Sequence, residues 1–207
     1  MPDETRPSVG LRERKKQRTR GAIVDAAMEM FTAHGFDQVS VAQIARRAEV
    51  SEATVFNYFR TKEDLVYDRL EDFWGHLVQA VQQRATGVSA LNAFRGFVLS
   101  QRTPARTPEE HERLAALTRM IVSSPALLAR EREAYDRGAR ALAVAVARGG
   151  RPGVRELVTA HALLGVHRVL LDYTREQVLA GVSGRSLGRR VAERARQGFA
   201  VLEQGLA

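Results

Sequence analysis

Residues 40–65 of the chain read SVAQIARRAEVSEATVFNYFRTKEDL, and that one stretch holds three helix starts. Ser40 stands three residues before Gln43, the spacing at which a hydroxyl and a carboxamide each satisfy an unpaired amide, so a helix begins at Val41. Val41, Ile44, Ala45 and Ala48 then occupy the 0, 3, 4, 7 positions of a single buried face. Glu49-Val50 leaves room only for a tight connection. Ser51 is the N-cap of a second short helix that runs through Phe59, with Val55 and Phe59 inward. Thr61 and Asp64 repeat the cap and launch a long helix, whose apolar stripe is Leu65, Leu70, Phe73, Leu77 and Val81 and whose end lies near Thr86-Gly87.

Two short helices joined by a turn of three to four residues, the second carrying polar and small residues outward, form a helix-turn-helix. A helix that enters a DNA major groove about 12 Å wide needs an outward face flat enough to approach base edges. Ser51 caps such a helix, and its outward face offers Glu52, Ala53, Thr54, Asn57 and Tyr58. Ala and Thr can touch a thymine methyl, Asn can pair with adenine, and Tyr can reach phosphate or base. The groups expected to fix its register on the backbone are Ser40 with the amides it caps, Lys62, and Lys16 in a basic run further upstream. Arg46 and Arg47 face phosphate or solvent, and Phe56 reads equally as core or as contact.

That basic run lies where such an element needs it. Between Arg12 and Arg20 stand six cations (Arg12, Arg14, Lys15, Lys16, Arg18 and Arg20) against the one anion Glu13, so this segment carries most of the chain's net +8. A charge run by itself is usually a solvated face; followed by a helix-turn-helix it marks an anionic partner, double-stranded DNA.

Working outward, residues 1–10 are polar with two prolines and read as a disordered tail. A helix from about Leu11 to Ala33 buries Ile23, Ala27, Met30 and Phe31, with Gly35 as its stop and Phe36 packing back on its end. Beyond the long helix, further helices fall at about 89–101, 108–122 and 125–147. The loop Thr103–Arg106 precedes the cap Thr107-Pro108-Glu109-Glu110. Gly149-Gly150-Arg151-Pro152-Gly153 is the strongest break, and helices at 154–180 and 186–203 follow it. There is no β alternation and no internal repeat, so the fold class is all-α: a helix-turn-helix domain over residues 11–62 and a larger helical domain over 63–207.

The helix at 154–180 is apolar on two faces, Leu157, Leu164, Leu171 and Val178 on one and Leu163, Val166, Leu170 and Tyr173 on the other, so it needs two neighbours. The helix at 186–203 carries Leu187, Val191, Ala195, Gly198 and Leu202 in one stripe with small residues that permit close approach. Self-association of these two helices into a twofold homodimer is the economical expectation, with a large monomeric bundle as the alternative.

Composition removes other classes. With no cysteine there is no disulfide scaffold, thiolate metal site or cysteine nucleophile. The longest apolar run, Ala141–Ala147, is far short of a membrane span, and no apolar block near the start directs secretion, so the expected location is the cytoplasm. Gly181-Val182-Ser183-Gly184-Arg185 lacks the final glycine of a nucleophile elbow, and no phosphate-binding glycine loop is present. His111-Glu112 begins like a zinc motif, but Ala115 stands where the second histidine belongs. His161 and His167 lie about 240° apart round a helix and cannot share a metal from one face. No cofactor or metal is expected, and nothing nominates an enzyme; a helical enzyme with a basic arm and a nonspecific nucleic-acid module remain the rival readings.

The segment resembles the DNA-binding part of TetR/AcrR-family transcriptional regulators. Ser40, Ile44-Ala45, Ala48, Val50-Ser51, Phe56, Tyr58-Phe59, Lys62 and Leu65 fall in that family's register, and with the preceding helix the likeness covers about 60–70 residues. It implies phosphate contacts from Ser40, Tyr58 and Lys62 and base or groove contacts from Thr54 and Asn57. Two positions depart from the pattern: Glu49 stands where glycine is common, a strained choice if its φ is positive, and Phe56 stands where tyrosine is common. The resemblance further implies a ligand-responsive regulator, most often a repressor, that binds a palindromic operator as a homodimer. It also implies a small-molecule pocket between the long helix after Lys62 and the helices up to the break at 149–153. Phe73, Trp74, Leu77, Phe94, Phe97, Met120, Tyr135 and His161 are the candidate lining, for a hydrophobic effector such as a fatty acyl or acyl-CoA ligand.

Overall fold

The structure is a computed structural model that describes residues 10–101 and 107–205, apart from the side chain of Arg69. Among the described residues it contains ten helices and no strand: α1 Leu11–His34, α2 Val41–Arg47, α3 Glu52–Tyr58, α4 Lys62–Val66, α5 Asp68–Gln82, α6 Ala90–Ser100, α7 Pro108–Ser123, α8 Pro125–Val146, α9 Val154–Leu179 and α10 Gly184–Gln204. The tail read at residues 1–10 falls outside the described residues except for Gly10, and so does the whole of the loop at 103–106. The chain divides into two compact units, residues up to Asp68 and residues from Arg69 onward, six residues beyond the boundary at 62 that the sequence suggests.

In the first unit, the spacing of apolar residues becomes a core of Ile23, Ala27 and Phe31 from α1, Ile44 and Ala45 from α2, Val55 from α3, and Phe59 and Leu65. Gly35 ends α1 at φ +84, and Phe36 returns so that its ring centroid lies 5.0 Å from that of Phe31. The long helix expected from Thr61 does not run through. It is interrupted at Tyr67 (φ −103, ψ 16), leaving α4 separate from α5. Leu65 and Tyr67 are both buried, yet on one unbroken helix they would point about 200° apart. Breaking the helix lets both bury.

The second unit packs around α9. Trp74, Leu77 and Val81 of α5, Phe94 of α6, Tyr135, Ala139 and Leu142 of α8, Ala160, Leu163, Leu164 and Leu170 of α9, and Ala195 and Phe199 of α10 form one buried cluster. A smaller cluster joins Ala115, Val178 and Leu187. Small residues set the closest approaches. A Cβ on Gly198 would stand 3.0 Å from Val166 Cγ1, and one on Gly138 would stand 3.3 Å from the Trp74 ring. Arg84 donates to the carbonyls of Ala145 and Val146 at the end of α8, at 3.0 and 2.9 Å, satisfying acceptors that the helix cannot. Glu131 of α8, itself 4% exposed, takes a two-pronged ion pair from Arg175 of α9.

One expectation for the terminal helices changes. The α10 stripe of Leu187, Val191, Ala195, Gly198 and Leu202 closes on α9 of the same chain: Leu187 and Ala195 are buried and Gly198 meets Val166. The apolar residues left most exposed are instead Val154 (78% exposed), Val158 and Val169 on α9 and Val201 on α10, with Leu157 and Leu179 of α9 less so. Val154, Val158, Gly165 and Val169 fall within about 60° of one another round α9, a third face that neither heptad set described.

Candidate functional site

The turn before α3 is built by the end of α2. The Glu49 amide donates to Arg46 O at 3.2 Å and the Val50 amide to Ala45 O at 2.9 Å, the paired bonds of a Schellman ending. Its left-handed residue is Glu49 at φ +56, so a non-glycine carries strain of about 1–2 kcal/mol at the corner of the motif. The Ser40–Gln43 capping box is present, with the Ser40 amide donating to Gln43 Oε1 at 2.7 Å. The Ser40 hydroxyl, exposed, accepts from the Gln43 amide at 3.3 Å.

Ser51 caps α3, its hydroxyl accepting from the Thr54 amide at 3.1 Å and pairing with Thr54 Oγ1 at 2.8 Å. Val55 is buried beneath α3, and Phe59 is buried just past its end at Tyr58, one residue earlier than the sequence reading placed it. Ala53 and Asn57 lie about 160° either side of Val55, so both point straight away from the core, and both are exposed. Glu52 is exposed as well, while Thr54 and Tyr58 are half-buried on one flank. On the other flank Phe56 is 51% exposed, which removes the core reading and adds an aromatic ring to the outward face. The first two turns of α1 hold Lys16 with Arg12, Arg14, Lys15 and Arg18, all exposed.

Two cations do different work from that expected. Lys62 turns inward: its ammonium donates to Phe36 O at 2.9 Å and Val39 O at 3.1 Å and sits 4.2 Å from the Phe36 ring centroid. Two of its three donors therefore clamp the loop between α1 and α2 rather than await a phosphate. Arg20, counted with the basic run, pairs with Asp68 at 2.6 Å, lies over the Phe59 ring, and donates to Tyr58 O at 3.4 Å, so it tethers the end of α3.

The second unit holds a cavity of about 390 Å³ lined by Phe73 of α5, Val98, Leu99 and Gln101 at the end of α6, His167, Leu170, Leu171 and Thr174 of α9, and Gly188, Val191, Ala192 and Ala195 of α10. Its walls come from α5 and α6 before the 149–153 break and from α9 and α10 after it, whereas the expected pocket had all its helices before the break. Of the expected lining residues only Phe73 faces it. Trp74, Leu77, Phe94 and Tyr135 are core, and Phe97 packs on Phe73 at 5.5 Å between ring centroids. Met120 belongs to α7, which contributes no wall, and His161 is exposed on α9.

The residue that sequence reasoning missed is His167. Its Nδ1 lies 2.7 Å from the Tyr135 hydroxyl, and the rings of Phe73 and Trp74 stand 5.1 and 5.7 Å from its own. Burial pushes its pKa down to about 4, so the imidazole is neutral. Burial first, and then nearby Glu131, push the Tyr135 phenol up, so it keeps its proton. Nothing local in the sequence pairs these two residues.

Comparison with known proteins follows the same division. The profile of bacterial regulatory proteins of the tetR family matches residues 23–67, which span α1 to α4. The mycofactocin biosynthesis transcriptional regulator MftR of Mycobacterium tuberculosis is 34% identical over 163 residues, covering 73% of this chain and 74% of that protein. The HTH-type transcriptional regulator TcmR of Streptomyces glaucescens is 31% identical over 142 residues; the match covers 65% of this chain and spans 63% of that relative's length. A TetR-family regulator structure from Syntrophomonas wolfei shares the fold at a TM-score of 0.58 and 17% identity, covering 93% of this chain and 98% of that one. With a built helix-turn-helix, no strand among the described residues and a relative matched over nearly three-quarters of both lengths, the chain belongs to the TetR family of bacterial regulatory proteins: it is a DNA-binding transcriptional regulator and not an enzyme.

Proposed function

We propose that the protein is a repressor that binds a palindromic operator as a homodimer and leaves it when a small hydrophobic effector occupies the second unit. The observation that carries the DNA half is the outward pair Ala53 and Asn57, diametrically opposite buried Val55 and flanked by Thr54, Tyr58 and Phe56. Ala53 suits a thymine methyl and Asn57 an adenine, while Lys16 and its neighbours suit phosphates. A regulator that reads the bacterial chromosome works in the cytoplasm.

The dimer reading rests on α9 and α10. Val154 and Val158 continue an exposed apolar band into a groove lined by Gly165, Val166, Val169, Leu170, Gly198, Val201 and Leu202, with Arg194 and Gln197 also in its wall. A second copy would cover it, and its twofold symmetry would match operator half-sites about 34–36 Å apart. The effector acts by population shift: binding one conformation of the second unit better than the other lowers operator affinity by the same coupling free energy.

Selection of genomic DNA fragments by the purified protein tests the reading. An enriched inverted repeat with half-site centres about one helical turn apart is expected. Recovery of fragments with no shared sequence would replace it with a nonspecific nucleic-acid module.

A further inference from the structure

The cavity wall contains three polar side chains among the described residues; Thr174 gives its one donor, and Gln101, exposed at the rim, one of its two, to a backbone carbonyl. Thr174 Oγ1 donates to Leu170 O at 2.7 Å, and Gln101 Nε2 donates to Phe97 O at 3.1 Å. His167 is the third, and only its Nδ1 is taken, by Tyr135 at 2.7 Å. A phenol is the stronger donor and an imidazole nitrogen the stronger acceptor, so Tyr135 O–H donates to Nδ1 and the neutral ring carries its remaining proton on Nε2. The Tyr135 bond therefore sets the tautomer and turns His167 into a donor for whatever fills the cavity. No lining side chain among the described residues carries a charge. A carboxylate or phosphate placed there would be desolvated without a countercharge, whereas a hydrocarbon body meets Val98, Leu171, Val191 and the Phe73 ring.

We propose that this cavity takes an uncharged, mainly aliphatic effector bearing one acceptor oxygen, a hydroxyl or carbonyl, which His167 Nε2 recognises, and that it excludes acyl-CoA and free fatty acid. The proposal rests on the reading of the second unit as the effector site. It names which chemistry that site selects: a site built around a half-buried donor discriminates by the acceptor it requires, and a wall with no cation among the described residues discriminates against anions.

The chain contains one tryptophan, Trp74, whose ring lies 5.7 Å from that of His167 and whose buried indole N–H has no partner among the described residues, so its fluorescence reports the cavity without a label. The experiment titrates DNA-free protein at pH 7.5 with 1-decanol, decanoate and decanoyl-CoA. Saturable binding of decanol at least tenfold tighter than either anion is expected, as is a loss of about tenfold in decanol affinity for His167→Phe. Decanoate or decanoyl-CoA bound as tightly as decanol overturns the proposal, and so does decanol that fails to saturate. Unchanged decanol affinity in a folded His167→Phe variant removes His167 from recognition. The comparison of ligands on the unaltered protein stands even if that variant does not fold. Because no DNA is present, any of these failures leaves the operator reading untouched, and that reading fails on its own fragment selection.

Discussion

Lys62 and Lys16 are both lysines of the DNA-binding unit, and the structure gives them opposite jobs. The Lys62 ammonium is spent on the carbonyls of Phe36 and Val39, so Lys62→Ala removes two charge-assisted hydrogen bonds and leaves Phe36 O only its long bond from the Val39 amide at 3.4 Å, which lowers stability by about 1–3 kcal/mol, read as a fall in the urea midpoint. Lys16 is exposed near the start of α1, so Lys16→Ala leaves the midpoint unchanged and weakens all DNA sequences alike, reducing the salt slope of binding by about one. The converse pattern, a stability loss at Lys16 and none at Lys62, would contradict these assignments. The outward face of α3 was legible because helical periodicity places Asn57 opposite Val55 whatever the tertiary context. The Lys62 clamp was not, since its partners sit in a loop more than twenty residues upstream. The same holds for His167 and Tyr135, which come together only once α8 and α9 pack.

At the scale of elements, caps and breakers could be read almost directly. Ser40, Ser51, Thr61, Thr107 and Ser124 each begin a helix where a side-chain oxygen meets an orphan amide, and Gly35 and Gly149 adopt the left-handed backbone at helix ends. Less legible was which neighbour an apolar stripe meets. The small residues of α10 invited a partner chain, but they are small because α9 of the same chain lies against them. Gly198→Leu forces a side chain into Val166, where a single Cβ already stands 3.0 Å away, and the expected cost is about 1–3 kcal/mol of overpacking. Thermal unfolding of the purified variant reads this. An unshifted melting temperature would mean that α10 does not pack on α9 as described. The break at Tyr67 has the same origin, because the stripe continues past it and only simultaneous burial of Leu65 and Tyr67 rules out one continuous helix.

For the molecule as a whole, the desolvated His167 makes stability depend on pH. In the unfolded chain an ordinary histidine takes a proton near pH 6.5, while burial in the fold postpones this to about 4. The folded state thus refuses a proton that the unfolded state binds. Stability is fully present above about pH 6.5 and falls as the pH drops toward 4, by on the order of 3 kcal/mol at most. Denaturant midpoints at pH 7.5 and 5 should therefore diverge more in the unaltered protein than in His167→Phe, and equal divergence would mean that other groups carry the effect. The all-helical class was legible, because composition and the run of caps fix it. The cavity's place was not, because it opens where α5, α6, α9 and α10 meet, a property of packing and not of any one helix.

The whole account turns on α3 presenting Asn57 to base edges. Binding of the unaltered protein and of Asn57→Ala should be compared on the selected operator and on a set with each base pair of one half-site replaced in turn. The account predicts that Asn57→Ala loses discrimination of about 1–3 kcal/mol at one position of the half-site and retains it elsewhere. Equal weakening on every sequence, with the pattern of preferences unchanged, would contradict it.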